Sequence, residues 1–278
     1  MIGRLEIVRL WRSRRPLIAA CSLLFFLVLM LVGFYTYARA ETGGRAEFRY
    51  TYENRSYFNG LTFALYAFYF GFLLILPIFI ATEGGAQIAG DTSRGTLLLS
   101  LTRPVSRTRL FFSKFLLSGA FSTLLAGGFL AVSLGVGLLA VGWGDLDLYP
   151  GVLQMTDRHQ HLEQQQALAR FLLAWPAASL ALLAPLSLAY LFSSWVKNPV
   201  NAVGLAFSLY LILYVIAEIH FFKDLRPWLF TTYMPYWREL FQERPDWSQV
   251  SNQALRLSGF TLLFLALAFR RFRRREER

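Results

Sequence analysis

Six apolar stretches dominate this chain, and each is close to the length that a hydrocarbon core about 30 Å thick demands of a helix, roughly 20 residues. They fall at 16–37, 58–82, 115–141, 171–194, 199–222 and 250–269. No water-soluble fold uses so many stretches of this kind. In lipid every backbone polar group must be satisfied within the span, so stretches this long read as helices. The weakest is the sixth, because Arg256 falls inside it; that arginine lies near one end, where it can snorkel to the headgroups.

Composition agrees: 55% of the 278 residues are hydrophobic and only 16% charged, against about 25% charged in an ordinary soluble domain. Such a chain has too little polar surface to cover its apolar bulk in water. The net charge of +11 sits at the ends of the apolar runs, not in a patch among polar residues, which argues for membrane topology and against nucleic-acid binding. The single cysteine, Cys21, excludes an intramolecular disulfide and reads as a small packing residue. Residues 1–37 begin like a signal peptide, yet the apolar run is long enough to span and no small-residue cleavage pattern follows, so it reads as a retained first span.

Lys and Arg set the orientation. With the amino terminus inside, one side holds Arg4, Arg9, Arg12, Arg14 and Arg15, then Arg94, Arg103, Arg107, Arg109 and Lys114, then Lys197, and finally the arginine-rich tail from Arg270. Asp145, Asp147, Asp157, Glu163, Glu239, Glu243 and Asp246 fall on the other. Both termini are therefore expected in the cytoplasm, with an inner loop at 83–114 and outer loops at 38–57, 142–170 and 223–249. The last outer loop is dense in aromatics and cut by Pro227, Pro235 and Pro245, a pattern expected of a re-entrant or interfacial segment at headgroup level. Residues 1–15 mix arginines with apolar residues without a clean stripe, and read equally as an interfacial segment or a basic topology anchor.

Small residues recur every fourth position in two spans: Gly119, Thr123, Gly127, Ala131 and Gly135 in the third, and Ala177, Ala181 and Ala189 around Pro185 in the fourth. Such faces let backbones approach closely where van der Waals packing drives association, within one chain or across a dimer.

Catalytic chemistry is hard to find. His159 and His161 with Glu163 lack a convincing fourth metal ligand and read as a solvated loop; no metal site is expected. Gly142-Trp143-Gly144-Asp145 has the pattern of an intramembrane aspartyl protease but no second aspartate in another span. Asn198-Pro199-Val200 is a lone half of a water-pore signature. The span centres hold no ionisable residue that could bind a coupling ion, with Glu218 and Arg256 near outer ends. No phosphate-binding Gly-x-x-x-x-Gly-Lys loop exists either, so the chain cannot bind ATP by that route, no cofactor is expected in it, and a motor for uphill movement is expected in another polypeptide.

Attention therefore falls on the inner loop. It runs from Glu83 through Asp91 to Gly95-Thr96-Leu97-Leu98-Leu99, then a sharp stop at Arg103-Pro104 before Arg107. A helix over 92–101 is expected, ending before Pro104, with its leucines on a partner's groove or on the bilayer edge.

Here the chain resembles the ABC-2 type permeases, membrane subunits of ATP-binding-cassette exporters. The likeness rests on Glu83 ending the second span, Gly95-Thr96-Leu97, Arg103-Pro104-Val105-Ser106-Arg107, and Lys114 entering the third span, within a six-span layout. It implies an all-α six-helix membrane bundle with a cytoplasmic coupling helix at 92–101, an interfacial elbow helix at 1–15 and a second inner contact at 193–201. Glu83, Asp91, Gly95, Thr96, Leu97, Leu98, Arg103, Pro104 and Arg107 would then meet a separate P-loop ATPase. A second permease copy or relative, export, and a bacterial cytoplasmic membrane follow from the same likeness. The chain departs from many relatives in carrying Leu98 after the Gly-Thr-Leu, and Ser93 and Arg94 before it, where they have acids; Asp91 stands in. A non-transporting scaffold that anchors an ATPase or an envelope complex is the alternative.

Overall fold

The computed structural model describes residues 15–41, 51–52, 55–56, 59–95, 106–149, 153, 155 and 159–274. Six of its helices are long and apolar enough to cross a membrane: α1 (Arg15–Glu41), α2 (Gly60–Ser93), α3 (Arg107–Ala140), α4 (Gln164–Trp195), α5 (Pro199–Glu218) and α6 (Trp247–Arg274). The protein is an all-α, multi-pass membrane bundle. Two small antiparallel ladders complete it: β1 (Thr51–Tyr52) with β2 (Arg55–Ser56), and β3 (Leu146–Leu148) with β4 (Gln160–Leu162). β3 and β4 lie in the α3–α4 connection, which defines one end of the bundle as the cap end. The other, where α2 ends and α3 begins among Arg94, Arg107 and Arg109, is the basic end.

Local chemistry sets the helix starts. Asn59 caps α2, its Oδ1 accepting from the N–H groups of Leu61 (3.0 Å) and Thr62 (2.9 Å). Asp246 caps α6 through the N–H groups of Ser248 and Gln249. Asn198-Pro199-Val200 is a helix start and nothing more exotic: the Asn198 side chain accepts from Val200 N–H at 2.9 Å and Pro199 occupies the first turn of α5.

α2 and α4 form the centre. In their most apolar stretches 67% and 61% of residues are buried, against 28% or less in the other four helices. α5 packs on the half of α2 nearer the basic end, α3 covers the other half, and α6 lies along α4. α1 touches the bundle through a narrow stripe, Ala19, Leu23 and Leu27, four residues apart. Cys21, expected to pack, instead faces outward.

One irregularity in α2 has a clear origin. Pro77 has no N–H for the Leu73 carbonyl and its ring would crowd that oxygen. The helix answers with a π turn over Gly71–Ile75, and Tyr210 of α5 donates its hydroxyl to Leu73 C=O at 2.6 Å.

The aromatic segment before α6 divides in two. His220–Trp228 is a 3₁₀ stretch with no buried residue, its Phe221 and Trp228 exposed, as suits the interface. Met234–Phe241 turns inward instead. Trp237 is completely buried, edge-on to Phe68 (5.0 Å) and Phe72 (5.5 Å), so this half plugs the cap end against α4 and α6.

Candidate functional site

α2 does not stop where its apolar run stops. It continues from Thr82 to Ser93, so Glu83 and Asp91, expected in a loop, lie on the helix and are buried. Gly84 and Gly85 make this possible. A Cβ on Gly84 would stand 3.0 Å from Ala189 Cβ and the Leu186 carbonyl of α4, and one on Gly85 would stand 2.7 Å from a Val203 methyl of α5. Packing of α2 between two helices outweighs the low helix propensity of paired glycines.

The buried acids meet α3 in antiparallel register. Asp91 Oδ2 is 2.6 Å from Lys114 Nζ, each side chain only 3% exposed. Two turns back, Glu83 accepts from Ser118 Oγ at 3.4 Å and from Gln87 Nε2. Desolvating two charges offsets much of their attraction, so such a pair does more to fix register than to add stability. Here it fixes α2 against α3 on either side of the segment that joins them.

A third contact binds α2 to α4. Ser193 Oγ accepts from the N–H groups of Ile88 (3.0 Å) and Ala89 (2.9 Å) and donates to Gly85 C=O (2.7 Å). These three bonds tie the α4 hydroxyl to one turn of the α2 backbone. Ser193 belongs to the expected second inner contact, 193–201, but its contact with α2 is invisible in sequence.

The expected coupling helix is corrected at its start. Thr92 and Ser93 are the last residues of α2, and Gly95 at φ +67° ends it, so no single helix runs through 92–101. Thr96, Leu97, Leu98, Arg103 and Pro104 lie outside the described residues, as do residues 1–14 of the expected elbow. Arg107 opens α3, exposed, behind the Ser106 cap.

The small-residue face of α3 splits along its length. Gly119 meets Leu183 of α4, and Gly127 is covered by the Trp175 indole, whose Nε1 donates to Thr123 C=O at 2.9 Å. Ala131 is exposed, and a Cβ on Gly135 would meet open space. On α4, Ala181 is fully buried and Ala177 half-buried. Buried serines, Ser118, Ser122 and Ser133, mark the inward face of α3 better than its glycines do.

At the cap end, His161 Nδ1 lies 2.8 Å from Asp147 Oδ1 across the β3–β4 register, and Asp145 Oδ1 accepts from Gln164 N–H at the start of α4. These contacts give the histidines and acids an architectural role. No group of three or more candidate metal ligands occurs among the described residues.

No curated protein is significantly similar to the chain. A family model described as ABC-2 family transporter protein matches residues 2–276, nearly the whole length. Six spanning helices and a match of that extent together place the chain: it belongs to the ABC-2 transporter family.

Proposed function

We propose that this permease forms the translocation path of an ATP-binding-cassette exporter and takes its drive at the basic end of the bundle from a separate ATPase subunit. Family membership implies an ABC ATPase partner in general; that partner would bind ATP and Mg. The observation that carries the coupling reading is the Asp91–Lys114 pair, which locks α2 to α3 at the two roots of the segment 94–106. A push on that segment reaches two helices at once, and α2 carries it through the bundle centre to the cap end. On the charge bias the basic end and both termini would face the cytoplasm, across a bacterial cytoplasmic membrane by the family likeness, and the ATPase would dock on 94–106 and on the α4–α5 turn near Lys197. A second permease copy or a relative completes the path.

The test is a double variant, Gly95→Pro with Leu98→Asp. Proline cannot adopt φ +67°, and an aspartate removes an apolar contact from the docking segment. Expected are normal membrane insertion and loss of ATPase co-purification, or loss of permease-dependent ATPase activity. Unchanged co-purification together with unchanged ATPase activity overturns the docking site.

A further inference from the structure

The face of α6 nearest the cap end combines a fixed cation with an unfilled apolar slot. Arg256, Gly259, Phe260 and Leu263 follow one another at helix-face spacing and, with Pro227 from the exposed 3₁₀ stretch, line an open notch of about 230 Å³. Arg256 is held at the rim: Nε donates to Asn252 Oδ1 at 2.9 Å, Nη1 donates to the Tyr233 hydroxyl at 2.8 Å, and the guanidinium stands over the Tyr233 ring at 5.4 Å. Tyr233 is buried, stacked on Phe260 and bonded through its hydroxyl to Pro227 C=O. Nη2 makes no hydrogen bond to a described residue. Arg226, next to Pro227, has a buried Nε without a hydrogen-bond partner among the described residues.

Below the rim the surface turns apolar. A Cβ on Gly259 would meet nothing within 4 Å, and Leu263 is half exposed beside it. From Arg256 to Leu263 the slot runs about 10 Å along the helix, at 1.5 Å per residue. Exposed Trp228 and Trp247 mark the interface level at this end.

We infer that this notch is a binding site for a glycerophospholipid of the leaflet at the cap end, its phosphate on Arg256 and one acyl chain in the slot beside Gly259. An immobilised guanidinium presents its remaining Nη2 donors and its charge to a phosphate without losing further side-chain entropy. An arginine on a lipid-facing helix also needs an anionic partner, and a phospholipid supplies that partner and the chain together. The inference requires only that the chain spans a bilayer, and stands apart from the ATPase reading.

The test uses the delipidated full chain in neutral detergent. Unfolding midpoints are recorded with dioleoyl phosphatidylglycerol, with dioleoylglycerol, which lacks the phosphate, and with glycerol 3-phosphate, which lacks the chains. Wild type should be stabilised by a few degrees with the phospholipid, much less with the diacylglycerol and not at all with glycerol phosphate. Arg256→Gln should abolish the difference between phospholipid and diacylglycerol. Gly259→Leu fills open space, so the fold is retained, and it should remove the phospholipid response and the phospholipid co-purified with wild type, read by native mass spectrometry. Equal stabilisation of wild type by phospholipid and diacylglycerol overturns the inference, as does a wild-type response and lipid content in Gly259→Leu.

Discussion

The two ends of α2 are held by opposite kinds of chemistry. At the cap end its neighbours are backbone and rings: Gly60 packs directly on Gly137 of α3, Gly60 N–H donates to Gly142 C=O at 2.9 Å, and Phe68 and Phe72 close on Trp237. At the basic end the contacts are polar: the Asp91–Lys114 pair, Glu83 with Ser118, and Ser193 bonded to the α2 backbone. Close-packed rings and touching backbones have one good arrangement. Buried hydroxyls and charged groups hold a register by a different rule: sliding the helices would separate partners that are costly to leave unpaired. The same helix is thus held by shape at one end and by polar pairing at the other, and the polar end is the one where we place the drive.

The largest expected effect tests the end held by shape. A Cβ at Gly60 would stand 2.6 Å from the Gly137 carbonyl carbon and the Gly142 oxygen, which are backbone atoms with nowhere to go. Gly60→Val should cost about 4 kcal/mol or more and abolish recovery of monodisperse protein from membranes. Normal yield and an unchanged unfolding midpoint would show that close backbone packing does not hold the cap end.

Next comes the ion pair. Lys114→Met takes the Lys114 cation away from the buried Asp91 and should destabilise by about 3 kcal/mol. Asp91→Leu combined with Lys114→Met should recover most of that loss, since a buried pair is nearly interchangeable with apolar residues of similar size. A double-mutant cycle on the unfolding midpoint decides it. Should the double variant remain as damaged as the single, the pair holds more than register.

Much of this contrast lay outside the reach of the sequence, for physical reasons. Six uninterrupted apolar runs announce six helices, because lipid leaves the backbone no alternative. The extension of α2 past Thr82 was hidden, since Gly84 and Gly85 read as a loop until α4 and α5 are seen pressed against them. Asp91, Lys114 and Glu83 stood out individually, but pairing across two helices needs the antiparallel register. Trp237 looked interfacial because proline-cut aromatic segments usually are; its burial depends on the hollow that Phe68 and Phe72 leave at the cap end. Arg256 weakened the sixth span on paper, while Tyr233, its partner, is 23 residues away in sequence.

A smaller effect is expected at Ser193. Removing the hydroxyl takes away one polar contact between α2 and α4, so Ser193→Ala should cost only about 0.6 kcal/mol, near the average for polar contacts between spanning helices. Its signature is kinetic: amide exchange at Ile88 and Ala89 should quicken as both N–H groups lose the Ser193 acceptor, and unchanged exchange would remove this contact as a tie between α2 and α4.

The smallest effect returns to the cap end, at Glu239 in the inward-turned stretch that is not one of the six spans. Burial raises its carboxyl above the ordinary value of 4.5, the nearby Asp246 charge raises it further, and Arg238 partly opposes both. A carboxyl raised in the folded state binds its proton more tightly there than in the unfolded chain. Its contribution is therefore fully present below the unfolded value and is lost as pH climbs through the raised one. Between pH 4 and 7 the unfolding midpoint of wild type should fall slightly relative to Glu239→Gln, whose side chain can still accept from Gln242. Parallel midpoint curves for the two proteins would mean that water reaches this carboxyl freely, and that the plug around Trp237 is looser at its edge than its buried rings suggest.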